Sequence, residues 1–380
     1  MDFTLTETHK MIQETARKFA QDELAESADI RDEKELFPYE QIKKLGKLGF
    51  MGMMVPEKYN GAELDTLSYV IAMEEISKVD ASVGVIMSVN NSLVCYGINL
   101  YGTEFQKEKY LKKLSTGEYL GAFALSEPEA GSDATNQRTT ATLDGDNYIL
   151  NGTKNWITNG STADIIIVMA TTDSSKGSHG ITAFIVEKNY PGFSVGKKER
   201  KLGIRSSDTV SISFQDMKVP IENRIGDEGF GFKYAMKALD GGRIGIAAQA
   251  LGIAQACLDA SLKYSKERKA YEKPISELQA IQFKLAKMAT EIEAARLLVY
   301  QAANLKDNGL KFSKQAAMAK LYASKISVNA ALEAIQIHGG YGYIREYNVE
   351  RYLRDAKITE IYEGTSEIQH IVIARDLIKN

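Results

Sequence analysis

The residues with the most chemical promise lie near the end of the chain, where Ile361 to Ile368 read IYEGTSEI. A lone carboxylate, Glu363, stands there between a tyrosine and a glycine. It reads either as part of a surface loop ending in a helix cap or as a general base on a short, sterically open turn. Two further stretches suit a flat cofactor. FALSEPEAGSD, from Phe123 to Asp133, passes from a strand into a polar loop whose backbone N–H groups and Ser126 hydroxyl suit ring heteroatoms or phosphates. NWITNG carries the only tryptophan, Trp156, two residues before Thr158, so an aromatic face has a hydroxyl beside it. A β-turn and a core tryptophan are the plainer readings of these two stretches, and composition alone favours them.

Many other chemistries have no residues to carry them. The chain has no phosphate-binding P-loop, no zinc-protease helix, no nucleophile elbow and no Cys-x-x-Cys pair. Its histidines, His9, His179, His338 and His370, are scattered without metal-ligand spacing, so no metal site is expected. GDEGFGF and HGGYGY are rich in glycine, but neither is a dinucleotide fingerprint following a strand. Acid–base work by carboxylates remains, or redox chemistry by a cofactor held in a less familiar way. A net charge of -3, from 47 basic and 50 acidic residues, is no footprint for nucleic acid. Two unpaired cysteines, Cys95 and Cys257, point to a reduced, intracellular setting. The longest apolar runs, such as Ile165 to Ala170, read as too short for a membrane span, so no membrane insertion is expected. The N-terminus resembles neither a signal nor a transit peptide, which predicts a cytoplasmic protein, or a mitochondrial-matrix one if a presequence has been removed.

Three regions of different periodicity must position these residues. Residues 1–120 read as an α-helical domain, broken between Gly49 and Gly61 and again near Gly102. Residues 121–226 read as strands: TVSISF alternates strictly, and short β-branched runs are separated by Gly, Asn, Asp and Ser clusters. With no helix-length segment between them, antiparallel pairing is expected. Residues 227–380 are helical again. Leu278, Ile281, Leu285, Met288, Ile292, Ala295, Val299 and Ala302 alternate steps of three and four, and Ala317 to Ile335 repeat the pattern. With Ile244 to Leu262 and a last stretch from Thr365, this predicts a four-helix bundle. The fold class expected is α+β: helices, then an antiparallel β-domain, then a bundle.

Taken together and in order, GVIMSVNNSL, FALSEP, NGTKNWITN, LDGGRIGIAAQALGIAQA, QIHGGYGY and RDAKITEIYEGTSEIQ resemble the acyl-CoA dehydrogenases, nearest to the short-chain, butyryl-CoA branch. The likeness runs essentially the whole length and implies the same three-domain fold. It also implies an activity: FAD-dependent conversion of a short acyl-CoA to its trans-2-enoyl-CoA. Glu363 falls where this branch keeps its base, which takes the α-proton while hydride passes to flavin N5. Electrons then go to an electron-transferring flavoprotein, and a homotetramer is the usual state. Some members place the base just before the arginine that matches Arg243; here that position is Gly242.

By the same resemblance Phe123, Leu125, Ser126, Trp156 and Thr158 line the flavin. Arg268, Gln279, Gln336, Gly339 and Gly340 bind its pyrophosphate and adenosine end, reaching across from a neighbouring subunit. Ser132, Asp240 and Arg243 hold CoA, Tyr362 shapes the acyl pocket, Gly364 leaves room for the thioester, and Thr365 and Glu367 complete the site. Without the resemblance Arg268 reads as a solvated helix-end charge, Gln336 as a surface amide, His338 as a packed or capping side chain, and Thr365 as a helix cap. Two departures stand out: Glu129 where a small residue is usual, and Tyr271-Glu272 in place of Phe-Gly. Alternatives in the same fold are a dehydrogenase of branched or cyclic acyl groups and an acyl-CoA oxidase. Outside enzymes, the alternative is a flavin- or CoA-thioester-binding protein without turnover.

Overall fold

Residues 4–379 are described by a computed structural model. The N-terminal helices are α1 (Glu7–Phe19), α2 (Ala28–Lys34), α3 (Tyr39–Lys47), α4 (Thr66–Ser77), α5 (Ala81–Ser88), α6 (Tyr96–Tyr101), α7 (Glu104–Gln106) and α8 (Lys112–Ser115). A capping box starts α1: the Thr6 hydroxyl accepts from the His9 N–H, and the His9 ring accepts from the Thr6 N–H. His9 also bonds Asp65 at 3.0 Å, and Asp65 caps α4 through the Ser68 N–H. One histidine thus ties two helix starts together. Between α5 and α6 the chain stays helical through a π-helical stretch, Val89–Cys95.

That Ala81–Tyr101 run and the later Gly231–Glu267 helix are long and apolar enough to cross a membrane, contrary to the expectation that no apolar run is so long. Valine, isoleucine, leucine and alanine spread over a whole helix supply the hydropathy, which a search for unbroken apolar runs overlooks. Both are buried inside the protein, over 94% and 83% of their apolar windows, as core helices are.

The β-domain holds β1 (Gly121–Ala124), β2 (Thr140–Asp144), β3 (Asn147–Thr158), β4 (Ile165–Thr171), β5 (Ile181–Glu187), β6 (Phe193–Lys198), β7 (Thr209–Pro220) and β8 (Arg224–Ile225). The order is β6-β7-β3-β2-β4-β5-β8, with β1 pairing β4. Most pairs are antiparallel, as expected, but two are not. β1 runs parallel to β4 from Gly121↔Ile165 to Ala124↔Val168, and β2 meets β4 in parallel at Thr140↔Thr171. The reason is the connection: a polar loop and the β2–β3 hairpin together make the crossover that a helix makes in βαβ units. Strands β4 and β5 are buried on both faces. Ile166, Val168, Phe184 and Val186 pack within the β-domain, whereas Ile165, Ile167, Ala183 and Ile185 join the helical core.

β3 carries a bulge, with Lys154 opposite Ile212 and Ile157 opposite Val210. Trp156 sits in it at φ +61° and is 62% exposed, while Lys154 turns fully inward. The Lys154 Nζ donates to the Leu125 carbonyl (3.1 Å), to Glu127 Oε1 (2.8 Å) and to Gln137 Oε1 (3.0 Å). Glu127 in turn accepts from the Arg138 and Thr139 N–H groups. The polar loop after β1 is therefore pinned from beneath by one buried ammonium. Replacing Lys154 with Met leaves Glu127 buried without its counter-charge, and unfolding in urea is expected to show a loss of about 3–5 kcal/mol. A loss under about 1 kcal/mol would show that the loop does not depend on this pair.

The C-terminal region contains α9 (Gly231–Glu267), α10 (Gln279–Asp307), α11 (Ser313–His338), α12 (Val349–Ile358) and α13 (Ser366–Lys379). The four expected helices are present, and α12 is a fifth. Val349, Tyr352, Leu353 and Ala356 give it an apolar stripe at helical spacing, but it is only ten residues long and buries Arg351 and Asp355 as well. Arg351 pairs with Asp29 and donates to the Val79 carbonyl; Asp355 accepts from the Ile204 N–H. The central α9 packs closely on α4: a Cβ at Gly252 would lie 2.4 Å from the Glu74 carbonyl oxygen.

Candidate active site

α12 ends at Ile358, and the Tyr362 N–H still reaches the Ile358 carbonyl. The backbone then turns left-handed at two consecutive residues, Glu363 (φ +52°) and Gly364 (φ +94°). A non-glycine held there costs about 1–3 kcal/mol and persists only where its surroundings over-determine it. They do. The Ser366 N–H bonds the Glu360 carbonyl, and the buried Gln369 amide donates to the Gly364 carbonyl at 2.8 Å. From α11, Lys320 Nζ donates to the same carbonyl at 2.5 Å. Before the turn, the Tyr362 hydroxyl bonds Gln249 Oε1, and Gln249 donates to the Ala81 carbonyl. Tyr362 is thus anchored to the core of α9 and packs against it from a half-buried position.

The Glu363 residue as a whole is only half-buried, but its Oε2 is shut off from solvent and has no hydrogen-bond partner among the described residues. Burial pushes its pKa up to about 7, against the pull of Lys320 and then Arg243. The Glu363 N–H makes no hydrogen bond within the described residues. Gly242 faces the carboxylate so closely that a Cβ there would lie 2.0 Å from Oε2. The two sequence positions at which a base was considered therefore share one space, which the Glu363 side chain fills. Next to it Arg243 is buried, its Nη1 donating to Asp240 at 2.6 Å; Asp240 also accepts from the Ser313 hydroxyl. The Arg243 Nε is buried without a partner among the described residues. Thr365 caps α13, accepting from the Ile368 N–H at 3.4 Å, and Glu367 lies exposed in the first turn of that helix.

On the β-domain side, the Asn155 N–H donates to the Ser126 carbonyl at 2.9 Å, joining the polar loop to the bulge. Phe123, Ser126 and Thr158 are half-buried, Leu125 is buried, and the exposed Trp156 is no core tryptophan. Ser132 lies exposed farther along the loop and bonds neither Asp240 nor Arg243 among the described residues. The extra charge of Glu129 is met locally by an ion pair with Arg138.

The remaining expected residues gather at the far end of α9. A cavity of about 460 Å³ is lined by Tyr264, Arg268, Ile275, Ile337, His338, Gly339, Gly340, Tyr341 and Ile344. His338 stacks on Tyr264 at 4.2 Å with Nδ1 on the Ala334 carbonyl, a packed side chain that also closes the end of α11. Gly339 stops α11 at φ +62°, and a Cβ at Gly339 or Gly340 would meet only open space. Gln336 and Gln279 are exposed and stand outside this lining. Tyr271 and Glu272, both at positive φ, form the tip of a hairpin between Lys269–Ala270 and Lys273–Pro274, with Tyr271 fully presented to solvent.

Lys320, Gln369, Lys154 and the room left by Gly242 escaped the sequence reading. For Lys320 a signal existed: it falls among the buried Ala316, Ala317, Ala323 and Ser324 of α11, an odd place for a charge. A guanidinium beside open glycine backbone suits a dinucleotide, and an exposed indole with hydroxyls alongside suits a flavin ring. The residues present fit FAD.

Known proteins agree in every region. The N-terminal, middle and C-terminal acyl-CoA dehydrogenase domains match residues 6–118, 122–217 and 229–378. The chain is 50% identical over 379 residues, all of both chains, to a short-chain specific acyl-CoA dehydrogenase of Clostridium acetobutylicum. It superposes on butyryl-CoA dehydrogenase from Megasphaera elsdenii with a TM-score of 0.98 and 51% identity across both chains. A chain described with the electron transferring flavoprotein of Acidaminococcus fermentans, in work on flavin-based electron bifurcation, gives 0.99 and 52% over the same extent. By domain content, sequence and structure, this chain belongs to the acyl-CoA dehydrogenase family.

Proposed function

We propose that the protein is an FAD-dependent dehydrogenase of short-chain acyl-CoA thioesters, taking butyryl-CoA or a near neighbour to its trans-2-enoyl-CoA. The observation that carries this reading is the Glu363 carboxylate, whose Oε2 is closed to solvent and without a hydrogen-bond partner among the described residues, on a turn whose N–H is also free there. Glu363 Oε2 accepts the α-proton. Its own N–H donates to the thioester oxygen, where the negative charge develops as that proton leaves. FAD, when bound, supplies the acceptor for the hydride that departs from the β-carbon. The C–C double bond is left behind, with one proton on Glu363 and the hydride's electron pair on the acceptor.

Arg243 and Asp240, with Ser132, hold CoA, and Tyr362 and Gly364 shape the acyl end. Phe123, Leu125, Ser126, Trp156 and Thr158 hold the flavin ring, with Thr365 and Glu367 completing that site. Arg268, Gly339 and Gly340, with Gln279 and Gln336 nearby, hold an adenosine end. The chain acts as a homotetramer in a soluble compartment and hands its electrons to an electron-transferring flavoprotein.

The visible spectrum of the purified protein, before and after anaerobic butyryl-CoA, tests the reading. A yellow protein that bleaches on mixing is expected. A yellow protein left unbleached by butyryl-CoA would move the substrate to longer, branched or cyclic acyl groups. A colourless protein that takes up no added FAD would end the proposal.

A further inference from the structure

Lys320 is fully buried in the middle of α11. Such a lysine needs a reason, because an ammonium group loses its hydration there. Among the described residues no carboxylate lies within ion-pair distance, and its one hydrogen bond goes to the Gly364 carbonyl. That carbonyl belongs to the second of the two left-handed residues that aim Glu363. Three negative side chains favour its charge: Glu363, Glu360 and Glu367, from the α12–α13 connection and the start of α13. Arg243, from α9, opposes it. Burial outweighs these and pulls the lysine down to about 7. Lysine and glutamate therefore meet near neutrality, and their titration belongs to the pair.

We propose that Lys320 is a positioning residue for the reaction: its ammonium clamps the Glu363–Gly364 turn and supplies the positive charge that keeps Glu363 ionised once water is excluded. A neutral donor such as the Gln369 amide secures the same carbonyl, but only a cation does both. The inference rests on Glu363 being the base.

The test is the pH dependence of flavin reduction by butyryl-CoA in rapid mixing, on FAD-loaded wild type, Lys320→Met, Lys320→Arg and Glu363→Gln. In the wild type the rate is expected to rise through a limb near the pair's titration, as Glu363 loses its proton. In Lys320→Met the limb moves at least about one pH unit to the alkaline side. The rate at pH 7 then falls about tenfold or more and recovers at high pH, with KM little changed. Lys320→Arg brings the limb part of the way back. A Lys320→Met limb that stays in place, whether the rate holds or falls equally at every pH, would leave a purely structural lysine and overturn the proposal. FAD content and melting temperature, measured on each variant, separate misfolding from a shifted limb. Glu363→Gln is read first: if it turns over normally, the base assignment itself has failed and the proposal goes with it.

Discussion

Glu363→Gln is expected to leave a yellow, folded protein whose butyryl-CoA turnover is lower by about 10⁴-fold, because an amide cannot take up the α-proton. Its fold should hold for a physical reason. The native carboxylate is closed off at Oε2 and unpartnered there, and its burial costs more than the attraction of Lys320 and Arg243 returns, so the folded state on balance loses by that charge. The sign follows from the raised pKa. A carboxyl group that titrates at about 7 when folded, and near 4.5 when unfolded, contributes its stability below 4.5 and loses it as pH rises to 7. Above pH 7 the glutamine variant should therefore melt no lower than the wild type. Differential scanning calorimetry at pH 8, paired with anaerobic reduction by butyryl-CoA, reads both quantities. Normal reduction of the flavin would remove Glu363 from the chemistry.

Gly242→Ala is expected to cost activity without costing the fold. The added methyl would stand 2.0 Å from Glu363 Oε2 and 2.8 Å from Leu93 Cδ2. Both are ends of flexible side chains, so they yield, and the backbone of α9 does not have to move. What yields is the base. A displacement of about 1 Å at a reacting atom is worth about 10²-fold in rate, so kcat should fall by about that factor while FAD content and melting temperature stay near wild type. A variant with wild-type kcat would show that the carboxylate works from another rotamer, away from Gly242.

How much of this could be read from the chain depends on which physical rule each part obeys. α10 and α11 announce themselves because their buried faces are apolar at helical spacing, as in the series from Met288 to Ala302. α12 is harder to see: its stripe of Val349, Tyr352, Leu353 and Ala356 spans only ten residues, and Arg351 and Asp355, buried with it, are satisfied by partners from distant segments. The parallel pairing of β1 with β4 is invisible for a related reason: register between strands with a hairpin between them leaves no local pattern. Composition favours Trp156 as a core residue, and a bulge with a positive φ, which alternation cannot foretell, turns it outward. Glu363 was singled out from its short motif, but its meeting with Gly242 and Lys320 joins α9, α11 and the turn after α12. Only the folded chain brings those three together.

The length of α9 carries a consequence of its own. Gly242 faces the Glu363 carboxylate, and Arg268 opens the cavity at the other end of the helix, 26 residues on. At 1.5 Å per residue that is about 39 Å of nearly inextensible rod. A single dinucleotide laid along it would be asked to span nearly the width of a small domain. The helix is in effect a ruler, and it sets the Arg268 cavity too far from the Glu363 carboxylate for one dinucleotide to join them along its length. On the proposed function, in which that cavity holds an adenosine end, the spacing calls for a second copy of the chain to bring such a cavity to each base.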